Sequence, residues 1–404
     1  MRISTTMQFT NSLSYIQKSN TSVDEASNRY NSGLKFQTAG ENPSGMASKV
    51  KYEGAISSYK QYAKDGGLAA NTLSEEETAL QSMWSALSSI NTRLIQCVDG
   101  SNDQNSLIAL AEEIGQTKDH LYDLMNTQNT DGEYIFSGAQ SDIPTYTLTS
   151  DGHYVCQADG STRSVLVAPS ITVQVSDSGL DVFENCRLAD TMTVTATPNI
   201  GSSVISSYGD FGDLYDKYYS PATGANNTLT INVANDNSFE LLAPDGTVIE
   251  TGEVNLEDGT INVKGMEFTI PDPKNYAGTI EIELDPPKTD NILNALTKIV
   301  DIIEDESISN TDKIAAITEA QVNVQNAMTR YDSYRGKVGA RQNTINTILT
   351  SNNSLSDIKT ESKANVSEVD AFEAASDLIQ SQNQLNVSRQ IYSMLSKQSL
   401  FDYI

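Results

Sequence analysis

Nine of the ten prolines lie between Pro144 and Pro287, and the tenth is Pro43. Proline lacks a backbone N–H and clashes with the helical turn before it. Long helices are therefore open to both flanks of this chain and closed to its middle. The flanks carry the matching periodicity. Leu73, Leu80, Leu87 and Leu94 recur every seven residues, and Met83, Ile90 and Cys97 follow the last three at a spacing of three. That is an a/d seam held over several turns. Residues 105–128 repeat it with Leu107, Leu110, Ile114, Leu121 and Leu124, and Ile317, Val324, Tyr331, Val338 and Ile345 are again seven apart.

The two ends carry weaker seams. Leu13, Ile16, Val23, Tyr30 and Leu34 fall on a heptad grid in which Asn20 and Ser27 fill two positions. Leu378, Leu385 and Tyr392 are seven apart near the other end, with Ile358, Val369, Phe372 and Leu395 nearby. Such helices are marginal alone and suited to pairing with partners. A helix of about 40 residues is about 60 Å long. Several of them, drawn from both chain ends, predict an elongated helical coiled-coil rod.

The middle changes character. Short β-branched runs such as Ile171-Thr172-Val173-Gln174-Val175 and Thr228-Leu229-Thr230-Ile231-Asn232-Val233 alternate with Asp-Gly turn signals at Asp151, Asp159, Asp245 and Asp258. Ser238 to Leu242, followed by Pro244-Asp245-Gly246-Thr247, reads as a hairpin. The fold class is thus α+β, with an antiparallel β domain inserted into the helical rod. The division expected is 1–43, an N-terminal helical segment; 44–140, the first part of the rod; 141–287, the β domain; 288–354, the second part of the rod; and 355–404, a C-terminal helical segment.

Charge narrows the function. The 404 residues hold 53 acidic and 26 basic side chains, a net −27. No basic surface exists to displace counterions from nucleic acid or to dock on anionic lipid. The β segment holds 22 acidic and 5 basic residues, which suits an outward, solvated face. No run of about 18 apolar residues predicts membrane insertion, and residues 1–20 hold no apolar core of a secretory signal.

Catalytic and metal-binding patterns are missing. Cys97, Cys156 and Cys186 form no framework, although a bridge between Cys156 and Cys186 stays open. With only His120 and His153 beside them they do not read as a zinc site. Gly336-Lys337 lacks the rest of a phosphate-binding loop, and no nucleophile elbow or dinucleotide fingerprint occurs. Glu75-Glu76-Glu77 and Glu112-Glu113 are neighbours on helices, so they point about 100° apart and read as exposed faces. Neither an enzyme nor a cofactor is expected.

Motifs near the ends are more telling. The chain opens Met1-Arg2-Ile3-Ser4-Thr5 and continues with Tyr30-Asn31-Ser32-Gly33-Leu34-Lys35-Phe36 and Ala39-Gly40-Glu41-Asn42-Pro43-Ser44-Gly45-Met46-Ala47. Gly33, Gly40 and Asn42-Pro43 should end the first helix and re-aim the chain before the second. These stretches resemble the N-terminal signature of the bacterial flagellin superfamily, with Asn42 where an acid is usual. Asp131-Gly132-Glu133-Tyr134-Ile135-Phe136-Ser137-Gly138, read as closing the helical part and starting a strand, resembles the branch that joins hook to filament. So does the closing Ser399-Leu400-Phe401-Asp402-Tyr403-Ile404. Val338-Gly339-Ala340-Arg341-Gln342-Asn343 resembles a pattern common to both branches.

The resemblance covers about 1–140 and 288–404. It implies an extracellular flagellar component exported through the type III channel without a cleaved signal. It implies hook-associated protein 1, flagellin, further copies in a ring, an export chaperone and the export apparatus as partners. It implies an inner assembly interface, for which Leu13, Ile16, Val23, Tyr30, Leu385, Tyr392, Leu395, Phe401 and Tyr403 are the candidates. Two other readings stand beside it: a filament-forming flagellin, and a carbohydrate-binding module on a helical stalk.

Overall fold

The first helix stops where the glycines and the proline require. The computed structural model of the chain describes residues 5–99 and 102–397. Helix α1 (Thr5–Ser32) ends before Gly33, whose φ of 69° lies in the left-handed region. Helix α2 (Pro43–Cys97) begins with proline in its first turn. Asn42 caps it, accepting from the Gly45 amide at 2.8 Å. Helix α3 (Gln104–Met125) is capped by Asp103, which accepts from the Ser106 amide.

Short strands follow. They are β1 (Tyr146–Leu148), β2 (Tyr154–Cys156), β3 (Ser164–Ala168) and β4 (Ile171–Gln174), then one π-helical turn at Leu180–Glu184 and β5 (Cys186–Arg187). Next come β6 (Met192–Thr197), β7 (Ser202–Ile205), helix α4 (Tyr208–Tyr218), β8 (Thr228–Val233), β9 (Ser238–Leu242) and β10 (Val248–Glu253). The run ends with β11 (Thr260–Val263), β12 (Met266–Thr269), β13 (Gly278–Leu284) and β14 (Thr289–Asp290). Helices α5 (Ile292–Glu304), α6 (Asn310–Ser367) and α7 (Ala371–Lys397) complete the chain.

Two compact units result: residues 1–67, 166–171 and 346–404 in one, and residues 68–165 and 172–345 in the other. The helical seams predicted from heptads lie in the second unit. Leu73, Leu80, Leu87 and Leu94 of α2 are fully buried, as are Val324, Tyr331, Val338 and Ile345 of α6. Helix α5 packs against α3 and buries Ile292, Leu293, Leu296, Ile299 and Ile303. Lys313 is buried at its end, donating to the Ile303 carbonyl and to Gln104 Oε1, both at 3.1 Å. A lysine there meets the negative end of the α5 dipole.

The β domain is antiparallel, as its turns predict. Strands β10-β9-β8-β13-β6 form one sheet and β11-β12-β7 another. Leu229, Ile231, Ile280 and Ile282 face Ile261 and Phe268 in one shared core. Alternation along β13 turns Glu281 and Glu283 outward, which puts acidic charge on the wet face. Pairing of β5 with β14 sets Cys186 opposite Asp290 and pinches off residues 188–288 as a nested part. Its helix α4 is absent from the sequence reading. The helix lays Phe211, Leu214 and Tyr215 on that core, capped by Ser207.

Two sequence expectations are corrected. The stretch Asp131 to Gly138 starts no strand. Gly132 and Gly138 both have positive φ, and the Asn129 carboxamide accepts from the Asp131 and Glu133 amides at 2.9 Å. A side chain that satisfies these amides locally removes the need for a ladder, so only the isolated bridge Gln128 to Tyr134 forms. Ile135 and Phe136 are instead core residues, with Phe136 against Phe183 at 5.0 Å. The second correction is Glu76, which is 1% exposed and not part of a solvated face.

Candidate assembly face

The first unit is built on α1 and α7, which run antiparallel. Leu34 bridges to Glu368, the Lys35 amide donates to the Ser367 carbonyl at 2.8 Å, and the Val369 amide donates to the Gly33 carbonyl at 3.0 Å. These bonds tie the turn after α1 to the turn before α7. Phe36 is buried beneath the turn. Glu41 braces it, accepting from the Gln37 amide at 3.0 Å and the Thr38 hydroxyl at 2.8 Å. Those bonds hold the Glu41 carboxyl below its ordinary range.

Both helices show an a/d row toward each other. On α7 it is Ala374, Leu378, Ser381, Leu385, Ser388, Tyr392 and Leu395, spaced alternately four and three apart. On α1 it is Phe9, Ser12, Ile16, Ser19, Val23 and Ala26. Ser12, Ser19, Ser381 and Ser388 break the apolar rows, so four of the thirteen seam positions are polar. Ser19 and Ser388 hydroxyls meet at 3.3 Å, Arg389 donates to the Asn20 side-chain Oδ1 at 3.3 Å, and Phe9 packs edge-on against Tyr392 at 5.3 Å.

The sequence candidates divide accordingly. Leu385 is buried, and Ile16, Val23, Tyr392 and Leu395 are half-buried, all on the α1/α7 seam. Leu13 is 48% exposed and Tyr30 50% exposed, so both stand off that seam. The seam row on α1 passes through Ser12 and Ser19, one residue back from Leu13 and Asn20. Phe401 and Tyr403, with the rest of the closing motif, lie outside the described residues.

A second apolar stripe escaped sequence reasoning. Phe372 is 86% exposed, and Ile379, Val387, Ile391 and Met394 on α7 are each at least half exposed. Their spacing of seven, eight, four and three residues puts them on one face of the helix, beside the buried row. Phe372, Ile379, Val387 and Ile391 line a groove of about 850 Å³ with Ser12, Tyr15 and Ser19 of α1. Contiguous exposed apolar surface of this kind marks an interaction site. The available signal was the second helical period in α7, hidden because the helix is apolar on two sides.

No group of three metal-binding side chains occurs among the described residues, and no described helix is long and apolar enough to cross a membrane. The three cysteines are free thiols. Burial pushes Cys97 up to about 11 and Cys186 up to about 12, which keeps both protonated and unreactive at neutral pH.

Residues 3–141 match the family model described as bacterial flagellin N-terminal helical region. Flagellar hook-associated protein 3 of Salmonella typhimurium is 22% identical over 187 residues, which is 46% of this chain and 57% of that protein. The N-terminal third of the chain thus resembles the flagellin helical region, and the chain spans just over half the length of that Salmonella relative. A superfamily flagellin from Clostridium tyrobutyricum is 21% identical over 203 residues, half of each chain. The flagellar junction protein FlgL from Legionella pneumophila has the same fold, with a TM-score of 0.58, 20% identity, and coverage of 79% of this chain and 99% of that one. These matched superfamily members are structural proteins of the flagellum, an extracellular appendage, and not enzymes.

Proposed function

We propose that the chain is a structural adaptor of the bacterial flagellum, forming the junction ring between the hook-associated protein 1 zone and the flagellin filament. The observation that carries the reading is the α7 stripe of Phe372, Ile379, Val387, Ile391 and Met394, left bare while the α1/α7 seam is filled. A helix pair with one seam satisfied and another open is ready to meet a neighbour. Repetition of one head-to-tail contact around an axis closes a ring. Segments 1–43 and 355–404 would supply that contact, with Leu13 and Tyr30 free to face a neighbouring copy. The acidic β domain, 141–287, would face outward, where its charge discourages unspecific association. The matches to hook-associated protein 3 and to FlgL support this branch over a filament-forming flagellin. Delivery would use an export chaperone and the type III apparatus, with the final location outside the cell.

Paired charge on the stripe tests the reading. Ile379→Asp with Val387→Asp should leave the circular dichroism spectrum unchanged, because both side chains are already more than half exposed. Cells carrying only this variant should release flagellin into the medium and build hooks without filaments. Normal filaments on those cells would reject the stripe as the assembly contact.

A further inference from the structure

Glu76 is the one acid of the Glu75-Glu76-Glu77 run that turns inward. Its carboxyl is 1% exposed, and its Oε1 accepts the backbone N–H of Asp177 at 3.1 Å. Its Oε2 is buried with no hydrogen-bond partner. The charged and titratable groups that face it come from two other elements. Asp177 stands in the loop before the π-helical turn, and Arg341 stands on α6 with Tyr334 beside its guanidinium. Arg341 is committed to Asp177, donating to both of its carboxylate oxygens at 2.8 Å. Gln174 adds a bond to Asp177 Oδ1 at 2.8 Å.

The charges therefore do not balance if both acids are ionised. One guanidinium neutralises one carboxylate, and the second carboxylate would sit buried and unpaired. Such a group is neutralised by taking up a proton rather than left charged. Two carboxyl groups facing each other can bond only if one of them carries a proton. Asp177 has the salt bridge, so the proton belongs on Glu76.

We propose that Glu76 keeps a proton in the folded second unit and forms, with Asp177 and Arg341, a clasp joining α2, the Asp177 loop and α6 that loosens as pH rises. Desolvation, and then repulsion from the Asp177 carboxylate, push Glu76 well above the ordinary 4.5. A folded value above the unfolded one means that folding takes up a proton. The clasp's contribution is complete below pH 4.5, declines as pH climbs above it, and is gone once pH passes the folded value. In the extracellular location proposed above, the chain would meet the pH of the medium directly, and this clasp would link the firmness of the α2/α6 region to that medium.

The test compares the full chain with its Glu76→Gln variant. Glutamine has the shape of the protonated acid and cannot ionise. Urea unfolding is followed from pH 5 to pH 9 by the fluorescence of Trp84, the single tryptophan, which lies on α2. Relative to the variant, the folded-to-unfolded ratio of the parent should drop about tenfold per pH unit until it levels off, as one proton requires. Parallel pH profiles for the two proteins would overturn the proposal. Should the glutamine variant fail to fold, amide hydrogen exchange on the unmutated chain decides. The Asp177 amide should lose protection with rising pH beyond the general base-catalysed trend, and protection that follows the trend alone would overturn it.

Discussion

Arg341 holds Asp177 in place through both of its carboxylate oxygens. Its removal would leave Asp177 buried without a cation, and uncompensated buried charge of this kind costs about 3–5 kcal/mol. Arg341→Met should therefore lower the unfolding free energy measured by urea denaturation by that order, and an unchanged value would contradict the assignment of Asp177 as a buried anion. None of this was legible in the sequence. Glu76 reads as one of three acids on a helix, and its partners are remote in the chain, so no local pattern announces them. Gly45 is a second case. A Cβ there would lie 2.7 Å from the Phe36 ring, so Gly45→Ala should cost about 1–3 kcal/mol through overpacking, read as a lower thermal midpoint. The glycine was legible as part of a family-like motif, but its purpose, room for a buried aromatic ring, needed the fold.

At the scale of elements, helices read well and their faces read unevenly. The α2 and α6 seams were legible because leucine, valine and isoleucine at seven-residue spacing leave one choice of inward face. The α1 seam was displaced by one residue, from Leu13 and Asn20 to Ser12 and Ser19, because serine on that row gives hydrophobicity nothing to detect. Ser19 and Ser388 face each other across that seam. Replacing both by alanine removes two half-buried hydroxyls together, so neither loses its partner alone. The double variant should hold or gain helical stability, by up to about 1 kcal/mol, while Leu385→Ala should lose about 2–4 kcal/mol. Thermal melting followed at the helical circular dichroism band separates the two outcomes. Helix α4 was missed for the opposite reason. It is short and set among strands, and Gly209 and Gly212 weaken it, so only the spacing of Phe211, Leu214 and Tyr215 and the Ser207 cap signal a helix.

For the whole molecule, the placement of proline gave the architecture: helices from both ends and an antiparallel β domain between them. The narrow neck of the nested β part, where β5 meets β14, was not visible, because a two-residue pairing leaves no pattern in sequence. The exposed stripe on α7 was equally hidden, since an exposed apolar residue looks the same in sequence as one bound for its own core. Purified intact flagella, labelled with antibody against this chain and viewed by electron microscopy, distinguish a junction protein from a filament subunit. Label should be confined to a single band where hook meets filament. Label along the whole filament would contradict the junction reading and make the chain a filament subunit.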